Sequence, residues 1–281
     1  MDSQMHDSKD NRPIPMTSTA DKKWEQVNDG VYMYTDQIVN LAVIEKSDKA
    51  GWSLVDTGLP GSAPEIKRAI AKHFRQDSKP DEIILTHGHF DHVGGLVDLV
   101  KEWEVPVYAH SLEFPYLTGK KAYPEPDMTV EGGLLAKISP YYPNEPINVS
   151  PYLKELPEDM GTLGLPEWEW FHTPGHSRGH VSFFNKQKGL LLAGDAFITV
   201  KQDSFWKVLE QYAEINGPPR YLTPDWKQAK DSVQKLASLH PKKAITGHGP
   251  PMEGKELKDG LQALVDHFEE KAVPDYGKFV N

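Results

Sequence analysis

The sequence predicts a mixed α/β protein, on three observations. Strand-sized apolar runs recur along the chain, and apolar stripes at helical spacing lie between and after them. The longest strongly apolar stretch, residues 38–44, is interrupted by Asn40 and falls far short of the roughly 18 residues of a membrane helix. With 281 residues and 38% hydrophobic content there is enough apolar surface for a large core, which excludes the disordered and fibrous classes.

Taken in order, residues 1–22 are polar, charged and Pro-bearing without periodicity, so they read as a tail ahead of a domain spanning 23–281. Strands are predicted at 31–34, 38–44 and 52–55, the last running into the turn Asp56-Thr-Gly-Leu-Pro-Gly. Ile66, Ala69, Ile70 and Phe74 place a helix over 63–74, followed by a buried strand at 83–85 and a helix over 93–100. Further strands are expected at 107–109, 168–171, 181–184, 190–193 and 244–246. Thr223 is expected to cap a helix with Pro224 at its first position and a stripe of Trp226, Ala229, Val233, Leu236 and Ala237. Leu257, Leu261, Leu264, Val265 and Phe268 predict a second helix. Between 111 and 166 the periodicity breaks down into Pro, Tyr and Gly, and this stretch reads as a lid or rim insertion, with a surface or dimer contact as its alternative.

Charge narrows the function. Thirty-one Lys and Arg stand against 41 Asp and Glu, a formal charge of −10, so the chain lacks the cationic surface that nucleic acid or anionic lipid requires. The first residues have neither the basic start nor the apolar middle of a secretory signal, and a cytoplasmic location is the expectation. With no Cys there is no thiolate nucleophile and no sulfur ligand, so any metal must be held by the 12 His and by carboxylates.

The sharpest feature is Thr86-His-Gly-His-Phe-Asp-His92, at the end of a predicted strand. His87 and His89 are two apart and project to one side of an extended segment, with Asp91 and His92 just beyond, so four residues of metal-ligating type meet within six positions. His176 follows another strand in Thr-Pro-Gly-His, Asp195 another in Ala-Gly-Asp, and His248 another in Thr-Gly-His-Gly. Gly-rich turns at strand ends let such side chains converge. His172 and His180 read as hydrogen-bonded structural residues, with support of a metal ligand as the alternative for each, and Arg178 as either a substrate contact or a surface ion pair.

These motifs, in this order from Asp56 to His248, resemble those of the metallo-β-lactamase-fold hydrolases. The resemblance implies a four-layer αββα sandwich with a dinuclear site at the sheet edges. It implies that His87, His89 and His176 hold one metal, that Asp91, His92 and His248 hold the other, and that Asp195 bridges them. Asp56 would orient ligand imidazoles rather than bind metal. Two divalent ions are implied, Zn2+ first, with Fe or Mn as alternatives for a sulfur-free donor set. They would supply a metal-bound hydroxide and polarise a carbonyl oxygen, with Asp91 as the catalytic carboxylate that orients the hydroxide or takes its proton.

Within that family the chain resembles the single-domain glyoxalase-II-like and lactonase-like branch, which acts on esters, thioesters and lactones. It departs from both patterns: Ile198 stands where the lactonases place Tyr, and the C-terminus lacks the basic glutathione-binding segment of glyoxalase II. Asp195 stands where the best-known zinc lactamases have Cys. The expected function is hydrolysis of a small carbonyl substrate, with Arg178, Tyr141, Tyr142 and Ile198 as candidate substrate-binding residues. The alternatives are a persulfide-dioxygenase-like mononuclear iron oxidoreductase, and a lactamase or phosphodiesterase on the same fold. No nucleic-acid or membrane partner is expected, and a homodimer is an open option for the assembly.

Overall fold

The computed structural model describes residues 5–10, 12, 17–74, 78–130, 133–200 and 213–280. The chain divides into two compact units, Met1–Tyr123 with Pro143–Pro166, and Pro124–Tyr142 with Glu167–Asn281. Each builds its own sheet and its own core.

In the first unit, seven strands lie in sequence order: β1 (Trp24–Asn28), β2 (Val31–Asp36), β3 (Val39–Glu45), β4 (Trp52–Val55), β5 (Glu82–Ile84), β6 (Val107–Ala109) and β7 (Leu153–Glu155). The first four form an antiparallel meander, and β4 to β7 are parallel. Parallel neighbours need crossovers, and α1 (Ala63–His73) and α3 (Leu96–Trp103) supply two of them. Ile66 and Ile70 of α1, and Leu96, Val97, Leu99, Val100 and Trp103 of α3, bury against Leu54, Ile83, Leu85 and Val107 of the sheet region. This is the amphipathic attachment that their spacing predicts.

The helix expected over 93–100 is instead two helices, α2 (Phe90–Val93) and α3, separated by Gly94 and Gly95. The break has a backbone cause: Gly94 N–H donates to Gly58 O and Gly95 N–H to Thr57 O, so the chain is pulled onto the turn after β4. The segment 111–166 holds more regular structure than its sequence announces, including α4 (Phe114–Leu117), α5 (Gly133–Ile138) and the edge strand β7. In the N-terminal tail, His6 and Asn148 exchange backbone hydrogen bonds of 3.2 and 2.9 Å.

The second unit has a five-stranded sheet in the order β14 (Met252–Glu253), β13 (Lys243–Ile245), β10 (Leu190–Leu192), β9 (Val181–Asn185), β8 (Trp168–His172). Only β10 and β13 are parallel. A separate hairpin pairs β11 (Ile198–Val200) with β12 (Ala213–Asn216). The helices α6 (Trp226–Ser238) and α7 (Gly254–Asp266) bury Ala229, Val233, Leu236, Leu257, Leu261 and Leu264 with Leu191 and Ala244 of the sheet. Phe268 opens a separate short helix, α8 (Phe268–Lys271), rather than extending α7. The expected cap of α6 is also corrected. Asp225 is the N-cap, accepting from Gln228 N–H at 2.9 Å, while the Thr223 hydroxyl is engaged elsewhere. Asp and Thr are both good caps, and the one adjoining the first helical turn takes the role.

Candidate metal centre

The first unit gathers four donor residues and their supports where β4 and β5 end. Asp56 follows β4, and Thr86 and His87 follow β5, so the parallel pairing brings these turns side by side. His89 is the N-cap of α2, which carries Asp91 and His92; all four donors are buried. The His87 ring lies 4.7 Å from that of His89 and 4.2 Å from that of His92.

Asp56 is the hub beneath them. It adopts a left-handed backbone conformation, φ 63°, which Asp tolerates better than most residues. Its Oδ1 accepts from Thr86 N–H at 2.8 Å, and its Oδ2 accepts from the Thr86 hydroxyl at 2.7 Å and from His92 Nδ1–H at 2.8 Å. The Thr86 hydroxyl has one proton and gives it to Asp56. Its contact with His87 Nδ1, at 3.0 Å, therefore has the imidazole as donor. The Nδ1 protons of His87 and His92 are thereby fixed, and Nε2 is the nitrogen each would present to a metal.

The second unit gathers three more donors along one sheet edge. Because β9 is antiparallel to both neighbours and β10 is parallel to β13, the end of β8, the start of β9 and the ends of β10 and β13 share that edge. His176 lies between β8 and β9, Asp195 follows β10, and His248 follows β13. Asp195 Oδ2 stands 3.4 Å from His176 Nε2 and 3.3 Å from His248 Nε2, with all three side chains buried. The Thr223 hydroxyl donates to Pro219 O at 2.7 Å, so it accepts from His176 Nδ1–H at 3.2 Å, fixing the same tautomer as in His87. Gly175, φ 132°, makes this loop possible, since a Cβ there would stand 2.3 Å from Ala229 N.

His180 is hydrogen-bonded, and its partner is the backbone of the candidate ligand Asp195, the supporting alternative that its place four past His176 also allowed. Its Nε2 accepts the backbone N–H of Asp195 at 2.9 Å, so Nδ1 carries the proton and donates to Thr173 Oγ1 at 2.9 Å. Thr173 meets Ser182 Oγ at 3.0 Å, and Ser182 donates to Ala193 O at 2.8 Å, closing a circuit of hydrogen bonds around the turn that carries Asp195. His172 Nε2 lies 2.8 Å from Arg178 O.

Sequence reasoning missed Thr86 and Thr223 as supports, and also Glu113 and Tyr123. A Thr beside or far from a His carries no pattern of its own; only the fold shows which hydroxyl meets which ring. Burial, and then the neighbouring Glu113, push the Tyr123 phenol well above its usual range, so it stays a hydrogen-bond donor. Of the candidate substrate residues, Tyr141 is 70% exposed, whereas Tyr142 is buried with its ring 5.8 Å from that of Tyr221. Ile198 is buried in β11, and Arg178 is exposed.

The donor set itself fits divalent metal: buried imidazoles, those of His87, His92 and His176 with fixed Nδ1 protons, carboxylates, and no sulfur. Among the described residues, no helix is long and apolar enough to cross a membrane.

Comparison with known proteins agrees. The probable metallo-hydrolase YflN of Bacillus subtilis (strain 168) is 42% identical over 91% of this chain and 97% of its own length. A hydroxyacylglutathione hydrolase of Idiomarina loihiensis is 28% identical over 56% of this chain and 46% of its own. A solved B3 metallo-β-lactamase with an active-site glutamic acid superposes with a TM-score of 0.61, covering 95% of this chain and 97% of its own at 16% identity, which shows a shared fold. Residues 34–248, most of the chain, match the metallo-beta-lactamase superfamily, and the protein belongs to it.

Proposed function

We propose that this metallo-beta-lactamase-superfamily protein hydrolyses a small carbonyl substrate, an ester, thioester or lactone, at a pair of divalent metals. The observation that carries the reading is the convergence of His176 Nε2 and His248 Nε2 on one carboxylate oxygen of Asp195, at 3.4 and 3.3 Å, the arrangement expected of a bridging ligand. In this reading His87, His89 and His176 hold one ion, Asp91, His92 and His248 the other, and Asp195 both. Metal bound there supplies two things, an acidified water, with pKa near 7, and a Lewis acid for the substrate oxygen.

The residues do the rest. Asp56, Thr86 and Thr223 keep the ligand imidazoles in the tautomer that binds metal, and His180 holds the backbone of Asp195. Asp91 would orient the attacking water and take its proton on a carboxylate oxygen. As the water oxygen bonds to the carbonyl carbon the C–O or C–S bond breaks, and that proton passes to the leaving oxygen or sulfur, with no side-chain nucleophile acylated. The hydroxyacylglutathione hydrolase relative supports a thioester among the candidates, and the exposed Tyr141 is the candidate contact at the rim.

The test pairs metal analysis of protein purified without chelator with a panel of lactone, thioester, aryl ester, phosphodiester and β-lactam substrates. Two ions per chain and turnover of a carbonyl substrate are expected, and Asp91→Asn should lower kcat by about 10²–10⁴. A single iron with oxygen consumption, or turnover of the phosphodiester alone, would reject this assignment.

A further inference from the structure

The peptide between His87 and His89 is held from behind by two residues of the segment that follows β6. Glu113 closes the 3₁₀ turn Ser111–Glu113 and is fully buried, 0% exposed. Its Oε2 accepts Gly88 N–H at 3.0 Å and also the Tyr123 hydroxyl. The Tyr123 oxygen accepts the same Gly88 N–H at 2.9 Å, so amide, phenol and carboxylate close a triangle. The Tyr123 ring then lies 4.3 Å from the His89 ring and stacks on that of Tyr116 at 3.8 Å.

This arrangement accounts for the glycine. A Cβ on Gly88 would stand 2.7 Å from the Tyr123 hydroxyl oxygen and 3.1 Å from Leu117 Cδ2, so the space a side chain would take is filled by the clamp. It also bears on the metal. His87 and His89 are joined through the Gly88 peptide, and the plane of that peptide sets the direction of one imidazole relative to the other.

We propose that Glu113 and Tyr123 are positioning residues for metal binding, clamping the Gly88 peptide and the His89 ring so that His87 and His89 meet one ion together. The inference rests on the metal-hydrolase reading above, and it gives the first part of the segment 111–166 a role beneath the site rather than over it.

The test compares wild type, Glu113→Gln, Tyr123→Phe and the double variant by three measurements: Zn2+ affinity in competition with a chromophoric chelator, the visible spectrum of Co2+-loaded protein, and the melting temperature of the metal-free form. Each single variant should bind Zn2+ about 10- to 100-fold more weakly, with shifted Co2+ bands. The double variant should lose little more than the weaker single, because both act through one contact. The metal-free forms should melt within a few degrees of wild type. Affinities within twofold of wild type with unaltered Co2+ bands overturn the proposal, as does a loss of affinity that only follows a loss of metal-free stability. If Glu113→Gln does not fold, Tyr123→Phe decides, since it keeps the ring and removes only the hydroxyl. A wild type that takes up neither ion overturns the metal reading itself, a result distinct from variants that bind as wild type does.

Discussion

Replacing Asp56 by asparagine keeps the shape of the side chain and its backbone, since Asn also tolerates the left-handed conformation at φ 63°. What changes is the hydrogen bonding at one atom. Oδ2 accepts from the Thr86 hydroxyl and from His92 Nδ1–H, and an amide nitrogen in its place can only donate. Two bonds to a charged acceptor, about 1.5–3 kcal/mol each, give way to two neutral ones of about 0.5–1.5 kcal/mol, a net loss of about 2–3 kcal/mol. At about 2–4 °C per kcal/mol, the melting temperature should fall by about 4–12 °C. The larger effect is on chemistry. His92 would have to accept at Nδ1, moving its proton to Nε2, the nitrogen a metal needs, so Zn2+ affinity should fall at least 10- to 100-fold. Chelator competition and thermal melts of metal-free protein measure the two effects separately. An Asp56→Asn protein with wild-type Zn2+ affinity and a melting temperature within a degree of wild type would refute the assigned role of Asp56.

Thr223→Val removes the acceptor of His176 Nδ1–H at nearly constant volume, and should weaken Zn2+ binding about tenfold or more, whereas Thr223→Ser should restore it; chelator titration checks both. Stripping the metal should lower thermal stability: at free metal 100 times the dissociation constant, binding contributes about 2.7 kcal/mol, or about 5–11 °C, read as the difference between melts with and without chelator. Asp127 predicts an acid-labile C-terminus. Burial raises its carboxyl pKa, but the Thr129 hydroxyl and amide, and Lys278, outweigh that and hold it below the ordinary 3.8. A depressed folded-state value means stability that is present above the ordinary value and lost as pH falls through the depressed one, so residues near Lys278 should become protease-sensitive below about pH 4 and not at pH 6. Asp127→Asn should show the same sensitivity at neutral pH.

The candidate ligand residues are legible in the sequence because they cluster just after apolar runs, five of the seven beside a glycine, and the runs of β5, β10 and β13 announce themselves. The helix stripes of α1, α6 and α7 are legible for the same reason, as repeated contacts with a core. Edge strands are not. In β7, Leu-Lys-Glu has one apolar residue and two exposed ones, and β14 has two residues in all, so neither carries a period. The N-terminus of α6 is misread because Thr223, a good cap by type, is drawn to Pro219 and His176 by tertiary contacts. Thr86, Glu113 and Tyr123 support the metal loop across gaps that no spacing rule links. The Gly94-Gly95 pair was open to reading as a break, and the approach of the Thr57–Gly58 backbone explains why the break falls there.

Neither compact unit is a continuous stretch of chain, and this has a consequence for how the protein is made. The segment Pro124–Tyr142 leaves the ribosome before its unit's remaining strands exist, and the amide of Lys278, which Asp127 awaits, is synthesised 151 residues later. At about 5–20 residues per second that is a delay of about 8–30 s. During it, Val130, buried in the finished protein beside Gly277, travels on a nascent chain without that neighbour. This unit therefore closes only after the last of its chain is made.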